Sequence, residues 1–479
     1  MEKLKGLSPA SVFHFFEEIS AIPRASGNRK GISDFCVNFA RERGLEVWQD
    51  AAYNVIIKKP ASCGYENAPA VILQGHLDMV TEKTPDCTID FEKDGLELLV
   101  DGDWLTADGT TLGADNGIAV AMALALLDDT SLPHPPLEIL LTTDEEVGML
   151  GAMDLDASPL TGKLLLNLDS EEEGIFTAGC AGGMRVDCTL PVEREAFSGT
   201  VMTVTVTGLA GGHSGVMIHK GSANACILLG RLLSAVKAQG VRIASLTGGG
   251  KDNVIPNEAT AKIAVPDEKV CAVTDALRAM GETIMAEYVV TDPNFKLLLS
   301  QKEESTQVLT EESNARCVDF LVLAPNGVQT MSSDIEGLVQ TSLNLGILSC
   351  DDAFVAAFSL RSSITSQKTM LQNKLVSLAS VLGGSTSSSG DYPAWEYRRV
   401  SPLRDIMVQV YLEQYGEQPV VNVIHAGLEC GVFTELIEDL DVVSYGPNIP
   451  DIHSVKEKVS ISSVQRIWDF TLEVLERIQ

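Results

Sequence analysis

Short apolar runs that end in polar or acidic residues recur through the first third of the chain. Residues 68–76, 136–145 and 162–170 each contain such a run, which is typical of strands buried on both faces. Residues 116–129 lie between the first two runs and are apolar at almost every position, as in a buried helix. This alternation of strands and helices predicts an α/β domain with a mostly parallel sheet.

The end of the chain repeats this pattern. Residues 401–416 begin with a Ser-Pro pair, which favours the start of a helix, and residues 462–478 have the periodicity of an amphipathic helix. Residues 419–427 and 441–448 are predicted strands. We therefore expect the C-terminal segment to complete the α/β domain of the first third.

The middle of the chain has a different pattern, bounded by two Gly/Ser-rich segments at 179–184 and 383–393. Such segments are typical of crossings between domains. Between them, residues 202–208 alternate as a half-exposed antiparallel strand does, and residues 222–236 predict a helix. This middle segment is therefore expected to form an inserted α+β domain.

The predicted domains follow from these boundaries. The catalytic domain consists of residues 1–184 and 396–479, and the inserted lid domain consists of residues 185–395. Residues 253–265 and 341–363 each place an Asn before a strand-like run, a weak similarity that suggests two similar halves in the lid.

Composition excludes several classes of partner. The chain has 479 residues and a formal net charge of −31, with no Lys/Arg cluster, which disfavours binding to nucleic acid or to an anionic membrane. Its most apolar helical stretch, residues 117–127, is too short to cross a bilayer, and the N-terminus does not resemble a signal peptide. Ten cysteines are scattered without CxxC spacing, as in a reducing compartment. We expect a soluble cytoplasmic protein.

Candidate ligands for a metal follow the predicted strands of the α/β domain. In an open α/β sheet, ligands bind at the carboxyl ends of the strands, so groups far apart in sequence can converge there. The residues at such positions, or in the glycine-bounded turn that enters the helix at 116–129, are His76, Asp78, Asp115, Glu145, Glu146, Asp169 and His453.

Two histidines with several carboxylates suit Zn²⁺, Mn²⁺ or Co²⁺, and the absence of clustered cysteines argues against a structural zinc site. Two cations require a bridging carboxylate and at least four further ligands, and the set His76, Asp115, Glu146, Asp169 and His453 provides them. Glu145 can then serve as the general base toward metal-bound water, and Asp78 can orient the His76 ring. Any one of these residues alone is more often a packed or solvated side chain than a ligand.

Several motifs extend this set into a recognisable pattern. The stretches LQGHLDMV, GTTLGADNGIA, LLTTDEEVGMLGA, LNLDSEEEG, AGGHSG and HAGLECG resemble the co-catalytic metallopeptidases of the aminoacylase and carboxypeptidase G type. The long forms GTTLGADNGIA and HAGLECG are similar to the branch of bacterial aminoacyl-histidine (Xaa-His) dipeptidases, also called peptidase D. The resemblance extends over nearly the whole chain.

The resemblance implies how the ligands divide between the metals. It places His76 and Asp169 on one ion, Glu146 and His453 on the other, and Asp115 between them, with Glu145 as base and Asp78 as orienting residue. The chain departs from the family at His453, where the flanking prolines are replaced by Ile452 and Val455. Glu457 still occupies the position of the family's acid.

The resemblance also suggests residues that would hold the substrate. His213, in a glycine-flanked turn, is a candidate donor to the oxyanion, and Asn253 and Arg361 are candidates for gripping the substrate backbone and its terminal carboxylate. His425 and Glu429 follow a predicted strand and are expected to line the same cleft. Taken alone, His213 is more simply a loop histidine, Arg361 is a surface charge, and the glycines around His425 form a backbone turn.

The sequence thus predicts a di-metal hydrolase that cleaves dipeptides, of the Xaa-His type and including β-Ala-His, by metal-bound hydroxide with a Glu base. Each chain is expected to hold two divalent ions, Zn²⁺ first, with Co²⁺ or Mn²⁺ as alternatives. An N-acyl amino acid deacylase with the same site and an inactive binding homologue are the alternative functions. The expected partner is a small dipeptide, and the oligomeric state is open between a monomer and a homodimer.

Overall fold

The structure, a computed structural model, describes residues 3–479 and contains two compact units. The first unit comprises the chain up to residue 179 together with residues 397–423 and 428–479, and the second comprises residues 180–396 and 424–427. Each unit has its own hydrophobic core. The second unit also takes in residues 180–184, 396 and 424–427, which the sequence predicts to lie in the catalytic domain.

The elements that begin before residue 180 are α1 (Ala10–Ser20), α2 (Arg29–Glu42), β1 (Glu46–Gln49), β2 (Val55–Lys59), β3 (Val71–His76), β4 (Leu98–Asp101), β5 (Trp104–Ala107), α3 (Ala114–Asp128), β6 (Leu137–Thr142), α4 (Leu150–Met153), β7 (Leu164–Asn167) and β8 (Ile175–Cys180).

The middle of the chain forms β9 (Gly182–Pro191), β10 (Arg194–Thr207), α5 (Ala225–Val236), β11 (Arg242–Gly248), β12 (Ala259–Val265), α6 (Val270–Glu287), β13 (Lys296–Leu309), α7 (Glu311–Leu323), β14 (Gly327–Met331), β15 (Val339–Cys350), β16 (Ala353–Ser362), α8 (Thr365–Val381) and β17 (Ser385–Tyr392). Short 3-10 helices span Ile218–Lys220, Lys237–Gln239 and Asp267–Lys269.

The chain ends with α9 (Pro402–Tyr415), β18 (Val420–Ile424), α10 (Glu429–Leu436), β19 (Asp441–Ser444), β20 (Lys458–Ser460) and α11 (Ile461–Arg477). Each strand and helix predicted from periodicity has a counterpart, and most ends shift by a few residues. The strand predicted at 202–208 begins at Arg194, and the strand-like run at 341–363 forms two strands, β15 and β16.

The first unit is built on an eight-stranded sheet with the order β1-β2-β6-β3-β7-β19-β8-β18. The four central strands β6, β3, β7 and β19 are parallel to one another, whereas β2 pairs with β6 and β8 pairs with β19 in antiparallel fashion. The predicted α/β fold class is confirmed, and the sheet is mixed with a parallel centre. A separate three-stranded sheet has the order β20-β5-β4.

Local sequence accounts for the helices of the first unit. Helix α3 is buried along its whole apolar length because it packs between β3 and α1. Helix α9 begins at Pro402 after the side chain of Ser401 caps the backbone N–H of Arg404, and it ends at Gly416, whose φ of 76° suits a residue without a Cβ. Helix α3 packs on β3 and helix α9 on β19, two strands of the sheet that has the predicted ligands at its carboxyl edge.

The second unit contains a nine-stranded sheet with the order β13-β10-β12-β11-β15-β16-β9-β17, and β14 pairs with β15. Its pairings are antiparallel. Helices α5, α6 and α7 pack together, and α8 packs on β9, so the unit has the α+β character expected of the insert. Among the described residues, no helix has both the length and the apolar character needed to cross a bilayer.

Candidate metal centre and substrate-binding residues

Three parallel strands bring the predicted ligands of the first unit to one edge. His76 is the last residue of β3 and pairs with Thr142, the last residue of β6. Asp169 comes just after β7, the other parallel neighbour of β3, and Glu145 and Glu146 lie in the loop after β6. Since the carboxyl ends of parallel neighbours share one edge, these side chains converge.

The two remaining ligands come from a helix start and a distant loop. Asp115 is at the beginning of α3, where it and Asn116 depart from helical dihedral angles and are joined by a cis peptide bond. His453 lies in the loop between β19 and β20 and has a φ of 59°. A left-handed conformation costs a non-glycine residue roughly 1 kcal/mol, and residues held in such conformations cluster at functional sites.

The ligand atoms form two groups that share Asp115. His76 Nε2 lies 3.1 Å from Asp115 Oδ1 and 3.4 Å from Asp169 Oδ1. His453 Nε2 lies 3.2 Å from Asp115 Oδ2 and 3.0 Å from Glu146 Oε2. Each oxygen of Asp115 therefore faces a different imidazole, which is the arrangement that a bridging carboxylate requires.

The spacing and chemistry of these atoms fit divalent cations. Two ligands of a tetrahedral zinc ion, each at a normal bond length, are about 3.3 Å apart. Ligand atoms of His76, Asp115 and Glu146 all lie within 4.8 Å of one another, and Glu146 Oε1 is buried with no hydrogen-bond partner among residues 3–479. Imidazole nitrogens mixed with carboxylate oxygens suit Zn²⁺, Mn²⁺ or Co²⁺.

The clustered carboxylates shift the pKa values of the predicted ligands at this edge of the sheet. Hydrogen bonds that His453 donates to the carboxylates of Asp115 and Glu146 raise the pKa of His453 to about 10. Burial alone would raise the pKa of Asp115, but His453 and His76 hold it below its usual range. Burial raises the pKa of Asp169 to about 6, helped by the charges of Asp115 and Glu146 although His76 opposes the shift. Cations at this edge would relieve the repulsion among the carboxylates.

Asp78 holds the histidine and the acidic loop together. His76 Nδ1, the ring nitrogen that faces away from Asp115, lies 3.1 Å from the backbone carbonyl oxygen of Asp78 and 3.4 Å from Asp78 Oδ1. Asp78 also accepts hydrogen bonds from the backbone N–H of Glu145, at 3.0 Å, and from the hydroxyl of Ser26, at 2.8 Å. The orienting role of Asp78 stays a prediction.

Glu145, in the loop after β6, is partly buried. Burial raises its pKa well above the usual range, and Asp169 and Glu429 add to the shift although His76 opposes it. The third acid of this loop, Asp144, is accounted for structurally, because it pairs with Arg29 and accepts a hydrogen bond from the backbone N–H of Gly27 at 2.7 Å.

Two supporting residues have no assigned role in the sequence analysis. Glu457 is buried, and its carboxylate accepts hydrogen bonds from the backbone N–H groups of Leu112 (2.9 Å), Gly113 (3.0 Å) and Asp115 (3.3 Å). Arg24 is also buried and donates to the carbonyls of Leu77, Asp78 and Gly113. The spacing of Glu457 from His453 is a sequence signal for its importance, whereas Arg24 has none.

We expect Glu457→Ala to destabilise the first unit by roughly 2–4 kcal/mol, because buried N–H groups that lose their acceptor cost about 1–3 kcal/mol each and some will find water. Urea unfolding of the metal-free protein, followed by tryptophan fluorescence, measures the change. Glu435→Ala removes an exposed glutamate from the same unit and serves as the control. Equal unfolding free energies for the two variants would contradict the assigned role of Glu457.

Glu429 lies beneath the ligands and is fully buried. Its Oε2 accepts hydrogen bonds from Gln74, at 2.7 Å, and from Thr142, at 2.8 Å. Gln74 lies two residues before His76 on β3, so the two side chains share one face of the sheet. Burial raises the pKa of Glu429 to about 8. The structure thus places Glu429 in a polar layer under the ligand edge, and its predicted contact with substrate stays a prediction.

In the second unit, three of the predicted substrate-binding residues meet around Gly215. A Cβ atom added to Gly215 would lie 2.9 Å from His213 Cε1, 3.2 Å from Arg361 Cζ and 2.8 Å from the carbonyl oxygen of His425. The His425 ring is buried, and its Nε2 lies 2.7 Å from the Ser342 hydroxyl. The glycine of the AGGHSG motif therefore makes room for these three groups.

The hydrogen bonds of His213 define its tautomer. The backbone N–H groups of Gly215 and Val216 point at its Nδ1, at 3.1 and 3.3 Å, so a neutral ring carries its proton on Nε2. Burial lowers the pKa of His213, and the charge of Arg361 adds to this shift. Asn253 is exposed, and its carbonyl accepts a hydrogen bond from the backbone N–H of Ser214 at 2.9 Å.

A family model and individual known proteins match this chain. The model of the family described as Peptidase family M20/M25/M40 matches residues 72–477. The chain belongs to this family. It is therefore a hydrolase that acts on peptide bonds, and the family depends on metal.

Individual relatives of this M20 peptidase cover its whole length. The chain is 39% identical over 482 residues to the cytosol non-specific dipeptidase of Escherichia coli K12, covering 100% of this chain and 99% of the relative. It is 39% identical to the aminoacylhistidine dipeptidase of Vibrio alginolyticus, whose crystal structure matches with a TM-score of 0.95 over 99% of this chain and 98% of the other. A tripeptidase structure from Staphylococcus aureus, 15% identical with a TM-score of 0.56, covers 98% of this chain and 99% of its own and shares the fold.

Proposed function

We propose that the protein is a cytoplasmic dipeptidase that uses two divalent metal ions and prefers dipeptides with a C-terminal histidine, including the β-Ala-His type. The observation that carries the proposal is the placement of Asp115, whose two carboxylate oxygens each lie within 3.2 Å of a different imidazole. The names of the Escherichia coli and Vibrio relatives support dipeptides as substrates. The scattered cysteines and the word cytosol in the first of those names support the location.

His76 and Asp169 would hold one ion, His453 and Glu146 the other, and Asp115 both. When bound, such ions lower the pKa of water and polarise the scissile carbonyl, with Zn²⁺ the first candidate and Co²⁺ or Mn²⁺ the alternatives.

The protein's own residues would carry the proton transfers. Glu145 removes a proton from the attacking water as the water oxygen bonds to the carbonyl carbon, and it returns that proton to the amide nitrogen as the C–N bond breaks. Asp78 keeps the His76 ring and the Glu145 backbone in place.

The candidate substrate-binding residues would each have a separate task. His213, with its proton on Nε2, is suited to donate a hydrogen bond to the carbonyl oxygen as that oxygen becomes negative. Arg361 would bind the terminal carboxylate through its guanidinium group, and Asn253 and His425 are further candidates for contacts to the substrate.

A substrate panel with the metal-depleted and reloaded enzyme tests the proposal. Chelation is expected to abolish hydrolysis, and Zn²⁺, Co²⁺ or Mn²⁺ to restore it. We expect Ala-His and β-Ala-His to be cleaved with kcat/KM on the order of tenfold above Ala-Leu, because one side-chain pocket discriminates by about 1–3 kcal/mol. N-acetyl-His, the substrate type of a deacylase, is expected to resist cleavage. Efficient hydrolysis of N-acetyl-His, or full activity without metal, would contradict the proposed function.

A further inference from the structure

Three neighbouring strands of the second unit place Arg361 and Tyr392 on either side of a glycine. In the register of β16 with β9, Arg361 is opposite Gly183, and in the register of β17 with β9, Tyr392 is opposite the same Gly183. Residues directly opposite one another across neighbouring strands point to the same face of a sheet. Arg361 and Tyr392 therefore face each other across a position that has no side chain.

The Tyr392 ring fills the space that this glycine leaves. A Cβ atom at Gly183 would lie within 2.4 Å of the Tyr392 hydroxyl oxygen, and one at Gly427, in the HAGLECG motif, would lie 2.6 Å from Tyr392 Cε2. Arg361 Nη1 donates a hydrogen bond to the Tyr392 hydroxyl oxygen at 3.1 Å. The Tyr392 ring packs against the backbone at both Gly183 and Gly427. Its hydroxyl oxygen is therefore held in place as an acceptor for the Arg361 guanidinium group.

The backbone of Tyr392 is itself anchored. Lys368 is buried and donates to the carbonyl oxygen of Tyr392 at 2.7 Å and to the carboxylate of Asp391 at 2.5 Å. Long arginine side chains have many rotamers, and immobilising one on binding costs conformational entropy. An arginine fixed before the substrate arrives avoids most of this loss.

We propose that Tyr392 is a positioning residue that orients Arg361 for the terminal carboxylate of the substrate. Gly183, which has no side chain, leaves the space in which the Tyr392 hydroxyl contacts Arg361. This inference rests on the proposed function, in which Arg361 binds that carboxylate. The Tyr392 hydroxyl accepts a hydrogen bond from Nη1 of Arg361. The other guanidinium N–H groups of Arg361 are then left to bind the substrate. Its effect acts through Arg361 and depends on a carboxylate at the C-terminus of the dipeptide.

The test compares Tyr392→Phe with the wild type on Ala-His and on the same dipeptide with a C-terminal amide. The variant keeps the ring and removes the hydroxyl. We expect KM for Ala-His to rise on the order of tenfold, the effect of losing a hydrogen bond to a charged group, with kcat changed little. KM for the amide should not change. Tyr415→Phe, which removes a hydroxyl bonded to the Arg466 carbonyl in the first unit, is the matched control and should leave both values unchanged.

Arg361→Gln separates failure of this inference from failure of the proposed function. If Arg361→Gln impairs Ala-His and the amide equally, Arg361 does not bind the carboxylate and that part of the proposed function is wrong. If Arg361→Gln discriminates between them but Tyr392→Phe leaves KM unchanged or affects both substrates equally, the positioning role of Tyr392 alone is overturned. Adding Tyr392→Phe to Arg361→Gln should produce no further rise in KM, because the two residues act through one contact.

Discussion

Replacing Glu145 by Gln is expected to reduce kcat by at least two to four orders of magnitude, because general acid–base catalysis contributes roughly 10²–10⁴-fold and a glutamine cannot carry the proton. The variant keeps the shape of the side chain, and the backbone N–H of residue 145 can still donate to Asp78. Metal content, measured by elemental analysis, should therefore equal that of the wild type.

Glu172→Gln is the matched control for this variant, since Glu172 is an exposed acid close to the ligand Asp169 and has no proposed role. It should keep full activity. A Glu145→Gln enzyme with more than a tenth of the wild-type kcat would have lost less than about 1.4 kcal/mol of transition-state stabilisation, and Glu145 would then not be the base.

Replacing Asp115 by Ala is expected to remove both metal ions together. The two oxygens of this carboxylate face His76 and His453 separately, so its loss takes a ligand and a negative charge from each group at once. His76→Ala and His453→Ala should each weaken one group more than the other. Metal stoichiometry after dialysis, and activity across a range of Zn²⁺ concentrations, measure these differences.

Asp108→Ala provides the comparison, because Asp108 is an exposed aspartate a short distance before Asp115 in the chain. It should bind metal as the wild type does. An Asp115→Ala variant that keeps one tightly bound ion per chain and remains active would show that the carboxylate does not bridge two ions.

The ligand-bearing edge is predictable from sequence because strand ends are visible in the hydrophobic pattern. His76 and Asp169 follow apolar runs directly, and parallel strands bring such positions together whatever lies between them. Asp115 and His453 carry weaker local signals: Asp115 lies in the GTTLGADNGIA motif, whereas His453 is at a position where the flanking residues depart from the family. The α/β class follows from the same alternation of runs.

The supporting contacts could not be predicted, since they depend on which segments approach in three dimensions. Tyr392 lies in a Gly/Ser-rich stretch that suggests a linker. Its contact with Arg361 arises because β16 and β17 both pair with β9, which places Arg361 and Tyr392 opposite the same residue of β9. Glu429 belongs to a motif that suggests a cleft, but the structure buries it against Gln74 and Thr142. The periodicity of a sequence shows which face of a helix or strand is buried. It does not show which other segments pack against that face.

The position of β19 has a consequence for how the molecule is made. This strand lies between β7 and β8, although β7 and β8 are close in sequence and β19 comes more than 250 residues later. The ribosome must therefore synthesise the whole second unit before the central sheet can close, whereas the main segment of that unit, residues 180–396, is continuous. Contacts so distant in sequence form slowly. The second unit can thus fold first, and the metal centre, which also needs His453 and Glu457, is assembled among the last features of the nascent protein.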